Sequence, residues 1–154
     1  MNAMRKCALI AAMLMAAPVM AQTAPAVQET SPVGLWKNID DVSGKPKALI
    51  RISETNGVLE GKLEKLFRAP GADQDPVCGK CEGARKDQPL TGMVLMSGLK
   101  KEGDAYAGGE ILDPNTGKVY KSTVKLAEGG KKLNVRGYVG MPMFGRSQVW
   151  LREE

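Results

Sequence analysis

Cys78-Gly-Lys-Cys81 is the most conspicuous chemical signal in this 154-residue sequence. Two thiols three positions apart can form a local disulfide, exchange electrons, or supply half of a tetrahedral zinc shell. The metal reading lacks its other half, because there is no second C-x-x-C and the chain contains no histidine. The electron-exchange reading wants the motif at the start of a helix, and Pro76, Gly79 and Gly83 argue against one. A structural disulfide between Cys78 and Cys81 is therefore the favoured expectation. The ring it closes is tiny, so its chain-entropy contribution is modest and its expected job is to stiffen its own loop.

The missing histidine also removes the usual general base and proton shuttle, which leaves a serine or cysteine hydrolase without its proton acceptor. Paired carboxylates can do acid–base work, but Asp40-Asp41, Asp73, Asp75 and Asp113 all stand among turn formers, where Asp bends or caps the backbone. Met141-Pro-Met143 places two thioethers in one loop, and soft sulfur selects copper(I). Methionine is also ordinary filler for irregular packing, and Phe144 follows directly, so packing is the better account of the M-x-M loop and of Met93 and Met96. No cofactor and no metal is called for. The remaining candidates are binding residues: Arg136 with Tyr138, two positions apart on one face of a strand, and Arg146 with Gln148 on one face of another. Arg136 and Tyr138 together suit a carboxylate, although Leu133 and Val135 on the opposite face suit the core better.

These residues need a scaffold, and the sequence supplies it in order. Arg5 and Lys6 precede an apolar run from Cys7 to Ala17, and Val19 and Ala21 put small residues where a signal peptidase reads, so residues 1–21 read as a cleaved signal peptide. The run is shorter than the roughly 20 residues a membrane span requires, and no cysteine follows it for lipid attachment. The expected address is the periplasm or the exterior, with no transmembrane segment in the mature chain. Losing Arg5 and Lys6 lowers the net charge from +5 to +3, and basic and acidic residues alternate, which disfavours nucleic acid as a partner. Residues 22–32 read as a flexible arm and 33–154 as one domain. Within that domain, short runs rich in β-branched and aromatic residues recur between Gly, Asn, Asp and Pro. They predict eight strands: 34–39, 47–53, 58–67, 91–99, 105–112, 118–126, 132–138 and 146–152. Asn56-Gly57 suits a two-residue hairpin turn. The one long interruption, 68–89, carries the two cysteines. An antiparallel up-and-down barrel follows, all-β, with an open β-sandwich as the alternative. In a lipocalin-like barrel, Trp36 of Gly34-Leu-Trp36 would cover the floor and Arg152 from the last strand would stack on it.

Taken together, Gly34-Leu-Trp36, the loop from Asp75 to Pro89, Asp113-Pro-Asn-Thr-Gly117, Val135-Arg-Gly-Tyr138 and Phe144-Gly-Arg-Ser-Gln-Val-Trp150 resemble the bacterial family called domain of unknown function 2147 (DUF2147). The resemblance spans about Val33 to Arg152 and implies an exported, β-barrel-like protein without specifying an activity. Three functions remain. A binding module would hold a small apolar or amphipathic molecule inside the barrel. A structural or interaction protein of the cell envelope would need no cavity. An enzyme ranks last, because no nucleophile–base pair exists. N-terminal sequencing of the exported protein should find Gln22 first; an uncleaved or lipid-modified main product would end the signal-peptide reading.

Overall fold

The computed structural model describes residues 30–154. The signal segment 1–21 and the arm up to residue 29 lie outside the described residues. Eight strands follow in sequence: β1 Gly34–Ile39, β2 Pro46–Thr55, β3 Val58–Leu66, β4 Val94–Glu102, β5 Ala105–Asp113, β6 Lys118–Ala127, β7 Lys132–Tyr138 and β8 Gly145–Arg152. Each pairs antiparallel with its sequence neighbour, and β8 returns to β1 to close an eight-stranded barrel. Closure rules out the open sandwich. The alternation within strands explains the inward face: in β2, Ala48, Ile50 and Ile52 are buried while Lys47 and Ser53 are exposed, and in β3, Leu59 and Leu63 are buried between exposed Glu60, Lys62 and Glu64. Asn56 and Gly57, both at positive φ, make the two-residue turn from β2 to β3.

One strand starts later than the sequence suggests. Thr91 reads as the beginning of β4, but residues 91–93 form a turn in which the Gly92 amide donates to Leu63 O at 2.7 Å and Leu63 N–H donates to Met93 O at 2.9 Å. Gly92 has φ +87°, which bends the chain off the ladder before β4 begins.

The barrel has a closed floor and an open mouth. At the floor, β1 and β8 meet through three register pairs, Trp36 with Arg152, Lys37 with Leu151 and Asn38 with Trp150. Trp36 is completely buried. The Arg152 guanidinium lies over its ring, 4.3 Å from the centroid. Its Nε donates to Gly130 O at 2.7 Å, Nη1 to Val33 O at 2.9 Å, and Nη2 to Ser31 O at 2.6 Å. The indole Nε1 in turn donates to Pro32 O at 2.8 Å, and Pro32 is itself enclosed. The arm expected to be flexible through residue 32 is thus already held at Ser31 and Pro32, because their carbonyls satisfy donors that the floor must not leave unpaired. Gly34 has to be glycine: a Cβ there would sit 2.4 Å from Glu154 O and 2.7 Å from Arg152 Nη1, at a φ of +143°.

At the mouth, the long connection runs from Phe67 to Met93 and holds the Cys78–Cys81 disulfide. It is folded rather than loose. Cys78 N–H donates to Gln88 O at 2.8 Å, Leu90 N–H to Pro76 O at 2.9 Å, and Val77 bridges Pro89. The stapled segment lies on the β5–β6 turn, where Gly117 is so close to it that a Cβ would stand 1.8 Å from Lys80 O. Cys78 is 0% and Cys81 3% exposed, and both belong to the hydrophobic core together with Leu90 and Met93. This corrects the expectation that the bridge only stiffens its own loop. It packs that loop onto the barrel.

Two stability outcomes follow. Trp36→Ala should cost about 3 to 5 kcal/mol, the usual loss for a buried large aromatic. Arg152→Ala should cost about 2 to 4 kcal/mol, since it strands carbonyls and removes the stacked cation, and Arg152→Lys should cost less because the charge and one donor survive. Urea unfolding checks the order, and Trp36→Ala at wild-type stability would refute the floor as described. Replacing both cysteines by serine should cost about 2 to 4 kcal/mol through two hydroxyls buried in apolar surroundings, more than so short a ring predicts. A thermal melt indistinguishable from wild type would show that the loop contributes nothing to the core.

Candidate functional site

The lower half of the barrel is filled by Trp36, Ile52, Leu59, Leu99, Val124 and Leu133. Above them the interior is open, and a cavity of about 430 Å³ runs from the middle of the barrel to the mouth. Its wall is mainly apolar, with Ile50, Leu63, Leu66, Leu95, Ile111 and Val135 from five different strands. The alternation of each strand presents these side chains to one space, and closure of the sheet makes that space a pocket.

Apart from Tyr120 on β6 and Asn115 in the β5–β6 turn, two amides interrupt the apolar wall. Asn38 on β1 and Gln148 on β8 both line the cavity, brought together by the β1–β8 seam, and Asn38 Nδ2 donates to Gln148 Oε1 at 3.0 Å. The indole Nε1 of Trp150 also donates to Gln148 Oε1, at 3.4 Å. Among the described residues, the ionic groups of the cavity, Asp40, Asp41, Lys47, Asp113 and Arg146, stand at strand ends and turns around the rim.

The rim carboxylates are already engaged. Asp40 Oδ1 accepts from Ser43 N–H at 2.8 Å, Ser43 Oγ at 2.9 Å and Val42 N–H at 3.2 Å. The Ser43 bonds, backbone first, hold its carboxyl below the usual carboxylate range. Asp113 accepts from Asn115 N–H and Thr116 Oγ1 in the same manner, and Asp41 accepts from Arg146 Nη2 at 2.6 Å. These are turn-building and rim-pairing carboxylates, as the sequence context of Asp40 and Asp113 suggests.

Of the residues singled out as binding candidates, Gln148 and Arg146 line the cavity and Arg136 and Tyr138 do not. The reason is parity. In β7, Leu133, Val135 and Gly137 take the inner face, so Arg136 stands outside, where Nε donates to Pro142 O at 2.6 Å, Nη1 to Ser147 Oγ at 2.8 Å and Nη2 to Met143 O at 3.3 Å. The carboxylate grip considered for Arg136 and Tyr138 is therefore not inside the barrel. Arg136 instead fixes the β7–β8 loop, whose Met143 and Phe144 are 70% and 68% exposed, while Met93 and Met96 are in the core, away from that loop's two methionines. Sequence reasoning missed Asn38. Its signal was there: Trp36 and Asn38 share a strand face by period 2, so a floor-facing indole implies an inward-facing amide two residues later.

No curated protein matches this chain. Among solved structures, protein HP1028 from the human pathogen Helicobacter pylori, described as belonging to the lipocalin family, aligns with a TM-score of 0.68 at 18% sequence identity. The alignment covers 80% of this chain and 84% of that one, and at this identity it speaks to the fold: an eight-stranded, lipocalin-like barrel. A family model described as "Uncharacterized protein conserved in bacteria (DUF2147)" matches residues 34–152, from the glycine that admits Arg152 to Arg152 itself. The closed barrel and that match agree over the whole of the folded domain, and the chain belongs to the DUF2147 family.

Proposed function

We propose that the protein is a periplasmic or secreted binding module that holds a small apolar or amphipathic molecule in the upper half of its barrel. The observation that carries this reading is the contrast between a floor with no room and a mouth-side cavity of about 430 Å³, within the range of roughly 300 to 1,000 Å³ typical of small-molecule sites. Interiors close-pack wherever nothing opposes it, and eight-stranded barrels are just wide enough for side chains or one small ligand. An apolar wall with a few placed polar groups is the usual composition of such a site. The leader-like N-terminus and the Cys78–Cys81 disulfide both suit an oxidising compartment outside the cytoplasm.

A second reading, an envelope interaction protein, draws on the exposed apolar tip at Met141, Met143 and Phe144, since exposed apolar patches mark contact surfaces. The two readings separate experimentally. Protein purified without denaturation should release a small molecule detectable by native mass spectrometry, and the emptied protein should take up N-phenyl-1-naphthylamine with a rise in its fluorescence. Leu95→Trp, which fills the cavity from the wall, should weaken that uptake at least tenfold. Serine at both Met143 and Phe144 should leave it unchanged. Uptake abolished by the loop variant and untouched by Leu95→Trp would favour the interaction reading over the cavity.

A further inference from the structure

The polar end of the ligand can be read from the hydrogen-bond network inside the cavity. An indole N–H is a donor only, so the atom of Gln148 facing Trp150 Nε1 is its carbonyl oxygen. That oxygen also faces Asn38, which fixes Nδ2 as the Asn38 atom in contact, at 3.0 Å. What remains is one free end on each amide: Gln148 Nε2, with two N–H donors, and Asn38 Oδ1, an acceptor. Neither makes a hydrogen bond among the described residues, and the one fully enclosed side-chain polar atom there without a partner is Ser122 Oγ. Both free ends are therefore accessible, on side chains that line the cavity. They belong to amides already in hydrogen-bond contact, so donor and acceptor are carried by neighbouring side chains.

The charges decide which head group fits. Among the described residues, the cations near this pair are already engaged or stand at the rim. Arg152 is stacked under Trp36, Arg136 is outside the barrel on the Pro142 and Met143 carbonyls, and Arg146 at the rim is paired with Asp41. The rim holds Asp40, Asp41 and Asp113 against Lys47 and Arg146, which gives an anion no net attraction there. A carboxylate carried to the amides would lose its hydration and gain only neutral donors, while Asn38 Oδ1 would repel it. A neutral carboxamide has a carbonyl for Gln148 Nε2 and an N–H for Asn38 Oδ1.

We propose that Asn38 and Gln148 form a head-group site for the uncharged, carboxamide-type end of an amphipathic molecule, with its apolar body toward the mouth. The proposal rests on the reading that the cavity takes a ligand, and the test separates the two. Displacement of N-phenyl-1-naphthylamine is measured with dodecanamide and dodecanoate at pH 8, where the acid is ionised. The wild type should bind dodecanamide at least tenfold tighter than dodecanoate. In Gln148→Leu the ratio should collapse to within about twofold. Gln148→Glu keeps the shape and the two accepted hydrogen bonds but removes the free donors, so it should lose the preference for the amide and gain affinity for dodecylammonium; it decides the matter if Gln148→Leu does not fold. Equal or tighter binding of dodecanoate by the wild type, or an amide preference that survives in both variants, overturns the head-group site while leaving the cavity reading intact. Failure of the wild type to bind the naphthylamine or either dodecyl probe overturns both.

Discussion

The stacking of Arg152 on Trp36 is the constraint on which the barrel depends. A sheet becomes a barrel only if its first and last strands meet, and here they meet over three register pairs. That is the shortest seam in the structure, so backbone pairing alone is a thin closure. The guanidinium reinforces it from inside. Its planar fork reaches carbonyls of the arm and of the β6–β7 turn while its face covers the indole, a combination that a lysine cannot reproduce. Two outer ion pairs, Lys37 with Glu153 and Arg51 with Glu154, lie over the same region, but exposed pairs of this kind contribute little.

Placing the strongest packing at one end leaves the other end free to be incomplete. Unfilled space inside a protein forfeits dispersion contacts, so a cavity persists where other interactions hold the walls apart. At the mouth those interactions are local: the capped turn at Asp40, the capped turn at Asp113, and the disulfide-stapled segment seated on the β5–β6 turn. The floor supplies rigidity and the turns supply shape. The cavity is what lies between them.

The sequence made the barrel legible because strand alternation and turn chemistry are local signals. Ile50 and Ile52 show their side of the sheet by spacing, and Asn56-Gly57 shows where the chain reverses. The start of β4 was not legible, because Gly92 is bent by hydrogen bonds to Leu63, nearly thirty positions earlier in the chain. The two ends of the floor could be paired because a G-x-W tryptophan on the first strand and an arginine on the last, with eight strands between, resemble the closure of a lipocalin-like barrel. Arg136 carried two opposed signals: its chemistry suits an anion, but its parity with Leu133 and Val135, also legible in the sequence, turns it outward. Asn38 is turned inward by its spacing from Trp36, but only the register of β1 against β8 places it beside Gln148.

Both ends of the folded domain lie at the floor, where Arg152 contacts Ser31 on one side and Glu154 on the other, and every long connection lies at the mouth. A tether attached before Ser31 or after Glu154 would therefore hold the barrel from beneath and leave its opening pointing away from the anchor. The molecule is polar in the sense of a cup with its handle at the base. Surface immobilisation through either terminus, or fusion to another domain there, would keep the cavity facing solution.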